Sequence, residues 1–123
     1  MSRMLTKTMT ILDGETDSDI VTFNSTSTQG GSGTHVTPMS MFVPTEFTGT
    51  TLTFKDTDDT EGTPVNIYDT DNSTAYTITV VKNVWMKLDF QLLAATVMNM
   101  QVVSDAAQSG SDCEIIFKCR TDV

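Results

Sequence analysis

Along most of this chain polar and apolar side chains alternate with a period of two, the period of a β-strand with one face buried. Leu5, Lys7, Met9 and Ile11 alternate with Thr6, Thr8 and Thr10, and Asp13-Gly14 ends the run as a turn. Ile20 to Phe23 reads as a second short strand. Met39, Met41 and Val43 alternate with Ser40 and Phe42, and Pro44 stops that strand because it has no amide donor. Leu52 and Phe54 alternate with Thr51 and Thr53, and residues 65–68 follow. Tyr76, Ile78 and Val80 make a sixth run, and Val84, Met86, Leu88 and Phe90 a seventh. Residues 97–103 and 113–119 complete nine candidate strands. The Thr-rich, β-branched background suits a pleated, half-buried surface.

Turn chemistry separates these runs. Gln29-Gly30-Gly31-Ser32-Gly33 reads as a flexible loop. Asp56 to Gly62, Asp69 to Ser73 and Gln108 to Asp112 read as polar connections between strands. Short strands at this spacing predict one all-β domain over residues 1–123, an antiparallel sandwich or barrel. The one helix candidate is residues 91–100, with Leu92, Leu93, Ala94 and Ala95. Residues 1–7 have no turn before Asp13-Gly14. They are expected to run as an extended arm that packs on a neighbour through Met1, Arg3, Met4 and Leu5.

Charge excludes some partners. The 123 residues hold 7 Lys and Arg against 16 Asp and Glu, a net charge of −9. Phosphate recognition needs clustered cations, and here they are scattered as Arg3, Lys7, Lys55, Lys82, Lys87, Lys118 and Arg120. Neither a nucleic acid nor an anionic membrane is expected as a partner, and no apolar run approaches a bilayer span. Residues 1–14 lack the continuous apolar core of a signal peptide. Cys113 and Cys119 on one strand would lie about 20 Å apart, too far to pair. They are expected as buried small hydrophobes on one face with Ile115 and Phe117, in a chain made in a reducing compartment.

The residues offer little to catalysis, and no enzyme is expected. His35 is the only histidine, and it follows a Gly-rich loop. There is no Gly-x-Ser-x-Gly elbow and no phosphate-cradling loop ending in Lys and Ser or Thr. Zinc lacks ligands. The Asp-rich stretches from Asp56 and from Asp69 fail the spacing of a helix–loop–helix calcium site, because Glu61 and Thr74 stand where glycine is needed. No feature selects a catalytic pair among the 16 acids. No cofactor is expected. Trp85, Tyr68 and Tyr76 together would make a sugar-stacking platform. The 8 methionines, among them the Met39/Met41 pair, are adaptable either as core or as interface.

The order of motifs along the chain resembles a group of small tailed-bacteriophage virion proteins. The resemblance lies in Lys7-Thr8-Met9-Thr10-Ile11 leading to Gly14 and Ser18-Asp19-Ile20, then Met39-Ser40-Met41-Phe42-Val43-Pro44 and Leu52-Thr53-Phe54. Val65-Asn66-Ile67-Tyr68-Asp69 and Val102-Val103-Ser104 follow, with a final alternating strand. It covers nearly the whole chain and implies a jelly-roll-like sandwich of eight to nine strands. It further implies a decoration or cement protein on the outer head surface, bound to the major capsid protein and self-associated as a homotrimer at sites of local threefold symmetry. A neck, tail or fibre-base component, or a carbohydrate-binding module for host attachment, are the alternatives. The side chains expected at its interfaces are Arg3, Met4, Leu5, Met39, Met41 and Trp85.

Overall fold

Among the described residues nine strands form where the alternation places them: β1 (Ser2–Ile11), β2 (Val21–Thr22), β3 (His35–Phe42), β4 (Thr51–Thr57), β5 (Val65–Asn66), β6 (Thr77–Thr79), β7 (Trp85–Lys87), β8 (Asn99–Ser104) and β9 (Cys113–Asp122). They come from a computed structural model that describes residues 2–23, 35–57, 62–68, 75–88 and 99–122. Among the described residues there is no helix. The helix candidate at residues 91–100 falls on residues 91–98, outside the described residues, and on Asn99 and Met100, which begin β8.

Every strand pairing is antiparallel. One sheet has the order β1-β9-β3-β7. The other has β2-β8-β4, with β5 and β6 sharing the far edge of β4. If β5 and β6 count as one interrupted strand, this is the order of a jelly roll: two four-stranded sheets with the chain passing from one to the other except between β4, β5 and β6. The expectation of a jelly-roll-like antiparallel sandwich therefore stands.

Two details differ from the sequence reading. Residues 2–7 are not a separate arm. Ser2 to Lys7 pair in register with Asp122 to Phe117 of the same chain, and form the outer half of β1. Met39 and Met41 do not share a face, because the register shifts between Pro38 and Ser40 and leaves Met39 as the extra residue of a bulge. Pro38 tolerates this place because it has no amide to donate, and the pairing with β7 begins only at Ser40. Val36, Pro38, Met41 and Val43 thus face the core, while Met39 is half-buried and its carbonyl accepts from the Leu88 N–H at 3.0 Å. His35, which follows the Gly-rich loop in the sequence, opens β3 opposite Asp122.

The core lies between the sheets. Met9, Ile11, Met41, Ile115 and Phe117 point in from the first sheet, and Leu52, Phe54, Met100 and Val102 from the second. Phe23 meets Phe117 edge-on across the sandwich, centroids 5.7 Å apart and planes at 82°. Of the long edges, β1 has no strand on its outer side among the described residues, and its inward-facing position opposite Phe117 carries Lys7. An inward charge on an edge strand opposes growth of the sheet by a stray strand.

Cys113 and Cys119 are free and fully buried on that inner face, as the alternation of β9 requires. Burial pushes both thiols up to about 11. The Glu46 carboxylate adds to the rise at Cys113, and Lys7 opposes it at Cys119. A thiol held neutral and covered does not react. Both cysteines should therefore resist alkylation in the native protein at neutral pH and react together in urea. Native labelling of either one would contradict the buried placement.

Candidate functional site: the outer face of the first sheet

β9 is central in its sheet, so its outward residues Glu114, Ile116, Lys118 and Arg120 each head a row of cross-strand neighbours. Ile116 stands between Thr8 of β1 and Phe42 of β3, and Phe42 pairs with Trp85 of β7. This makes an apolar row across the sheet. The Phe42 and Trp85 rings are 5.4 Å apart, tilted by 51°. The next row is Thr6, Lys118, Ser40 and Lys87, and the one after it Met4, Arg120 and Thr37. Lys118 Nζ lies 4.3 Å from the Trp85 ring centroid, a cation–π contact worth about 0.5–1 kcal/mol at an exposed site.

On the other side of the apolar row the sign of the charge reverses. Glu114 opposes Thr10, and a depression of about 380 Å³ is lined by Phe42, Pro44, Glu46, Asp112, Glu114 and Ile116. At the basic end a second depression, about 310 Å³, is lined by Met4, Leu5, Thr6 and Lys118. Along β9 the face therefore reads acidic, apolar, basic. The cations that look scattered in the sequence are partly gathered here: Lys87, Lys118 and Arg120 share this face.

Of the expected interface residues, this face collects Met4 and Trp85, 58% and 43% exposed. Arg3 is placed by backbone register opposite Thr121. Three others are corrected. Met41 is fully buried in the core, Leu5 is half-buried against it, and Met39 sits in the bulge. The aromatic platform is also not formed: Trp85 is on the outer face of the first sheet, whereas Tyr76 packs on Phe54 of the second at 5.4 Å, and Tyr68 lies beside β5. The residues missed were Phe42, Ile116, Lys118 and Glu114. Their signal was the other half of two alternations already read for their buried half.

The loops at the acidic end are held by side chains acting as backbone partners. Gln108 is 2% exposed. Its Nε2 donates to the Thr48 carbonyl at 2.9 Å, and its Oε1 accepts from the Thr48 N–H at 2.8 Å. Its own amide donates to the Glu15 carbonyl at 2.9 Å, and its carbonyl accepts from the Gly14 N–H at 2.8 Å. One residue thereby joins three loops. Asp13 and Asp112 are crosswise acceptors: the Asp13 N–H donates to Asp112, and the Gly110 N–H to Asp13. Asp19 accepts from the Thr10 N–H at 2.8 Å. These carboxylates hold loops, and among the described residues no three His, Cys, Asp or Glu side chains form a metal cluster. Of the Asp-rich stretches weighed for calcium, Asp56 and Thr57 end β4, while residues 58–61 and 69–74 lie outside the described residues.

Asp105 is the strongest of these clamps. Its carboxylate accepts from the Thr50 hydroxyl at 2.7 Å and from the Thr51 and Thr50 N–H groups at 3.1 and 2.8 Å. Those bonds, the Thr50 hydroxyl first, hold its pKa down at about 2. The approach requires Gly49, whose φ is +128° and where a Cβ would stand 2.5 Å from Asp105 Oδ1. A carboxylate whose pKa falls on folding stabilises the fold above its unfolded value, and that stability is lost as pH falls toward the folded one. The melting temperature of the wild type should therefore drop between about pH 4 and pH 2 more steeply than that of Asp105→Asn. Parallel curves would contradict the clamp.

No protein-family model, curated protein or solved structure matches this chain, so the face, the loops and the order of the strands carry the functional reading.

Proposed function

We propose that this chain is a structural protein of a bacteriophage virion, a decoration or cement protein that binds the outer surface of the head and stabilises it. Its partner is the major capsid protein. The observation that carries the proposal is the jelly-roll strand order in a chain whose motif order resembles small virion proteins. Jelly rolls are a recurrent architecture of viral capsid domains, and the warrant from fold is one of analogy. Composition agrees with it: a net charge of −9 keeps subunits soluble before assembly.

A neck, tail or fibre-base position is the second reading, and copy number separates the two. Purified particles of the phage that carries the gene should contain hundreds of copies for a head protein, against about six or twelve for a neck or tail ring, by the closure of symmetric assemblies. Quantitative mass spectrometry of the particles measures this. Absence from purified particles would remove both readings. Host-glycan binding has less support, because Trp85 stands apart from Tyr76, with Lys118 over its ring.

A further inference from the structure

We infer that the outer face of the first sheet is a self-complementary interface that pairs two copies of this chain about a twofold axis. The inference concerns the isolated protein and does not rest on the virion reading. Its basis is the order of charge along β9. Glu114 lies one row to one side of Ile116, and Lys118 one row to the other. Asp112 and Arg120 lie a row further out on their respective sides.

Consider a twofold axis in the plane of contact, running along the row Ile116, Phe42 and Trp85. It turns the second copy so that its β9 lies antiparallel over the first β9. The apolar row then packs on its own image. Glu114 faces Lys118 of the second copy, Asp112 faces Arg120, and each contact occurs twice. The acidic depression beside Pro44 lies over the row of Lys118 and Ser40 of the second copy. An isologous contact needs this kind of reversal within one patch. A threefold ring needs the face to meet a different patch on the next copy, and the reversal would then serve no purpose.

Four strands at ~4.8 Å spacing and the nine residues from Asp112 to Arg120 span roughly 15 by 27 Å. That footprint buries on the order of 800 Å² in total, at the low end of specific interfaces. The pairing is therefore weak and reversible, and it strengthens where the protein is concentrated on a surface.

The test is a charge swap read by analytical ultracentrifugation over a concentration series. The wild type should show a monomer–dimer equilibrium. Glu114→Lys and Lys118→Glu, both at exposed positions, should each weaken dimerisation at least tenfold. Mixed in equal amounts, the two variants should dimerise again, since each supplies what the other's face repels. The double variant should dimerise like the wild type. Arg120→Glu, at another row, should weaken dimerisation likewise, and it keeps the test open if either first variant fails to fold. A wild type that stays monomeric, a trimer, single variants that dimerise normally, or a mixture without rescue would each overturn the inference. A ligand-binding role for the same cations predicts loss with Lys118→Glu and no rescue by Glu114→Lys.

Discussion

Phe117→Ala should cost about 3–5 kcal/mol of unfolding free energy, a large share of the roughly 5–15 kcal/mol that holds a domain of this kind together. The ring is fully buried on the central strand of its sheet. Its backbone is paired on both sides, with Lys7 in β1 and Met41 in β3, and its face is met edge-on by Phe23 from the opposite sheet. With both sheets fixed by their ladders the site cannot collapse around the missing ring, so the cavity cost adds to the lost transfer energy. Phe117→Leu, which keeps most of the volume, should cost distinctly less. Urea unfolding followed by circular dichroism measures both. A loss below about 1 kcal/mol for the alanine variant would mean that the two sheets do not meet at this ring.

Gln108→Ala should be the most damaging change of a polar side chain. It removes the bonds to Thr48 and the 3.3 Å bond to the Ala106 carbonyl, and it strands the Thr48 N–H beside a loop with little access to water. Each orphaned group costs about 1–3 kcal/mol. Gln108→Glu is more informative. It keeps the shape but presents a carboxylate to the Thr48 and Ala106 carbonyls in place of an amide donor. Burial and those acceptors raise the folded pKa of such a Glu above its unfolded value of about 4.3. The variant should then be closest to wild type below that pH and lose stability as pH rises toward neutrality. Thermal melts at several pH values test this, and a penalty independent of pH would show that the side chain is not enclosed.

The strands were legible because alternation is local. Each run of the sequence falls on or overlaps a strand, and the inner face of β9, from Cys113 to Cys119, is the face the period assigns. The bulge in β3 broke the rule. One extra residue at Met39 moves the buried set from an even spacing to Pro38 and Met41, and the signal for it was Pro38 inside a strand. The loop clamps were not legible. Gln108 finds Thr48 sixty residues away, and Asp105 finds Thr50 at a separation of fifty-five. No local pattern marks such partners. The face was legible in halves only. Glu114, Ile116, Lys118 and Arg120 alternate visibly, but that Phe42, Trp85 and Met4 flank them follows from the strand order. Residues 1–7 read as an arm because the partner of Ser2 to Lys7, the end of β9, lies at the far end of the chain.

The direct test of the whole account is a cryo-electron microscopy map of the virion head. The account predicts a sandwich of two antiparallel sheets on the outer surface in many symmetric copies, with the row of Ile116, Phe42 and Trp85 covered by a protein neighbour. A head without such density, or one in which that face of the first sheet is open to solvent in every copy, would contradict it.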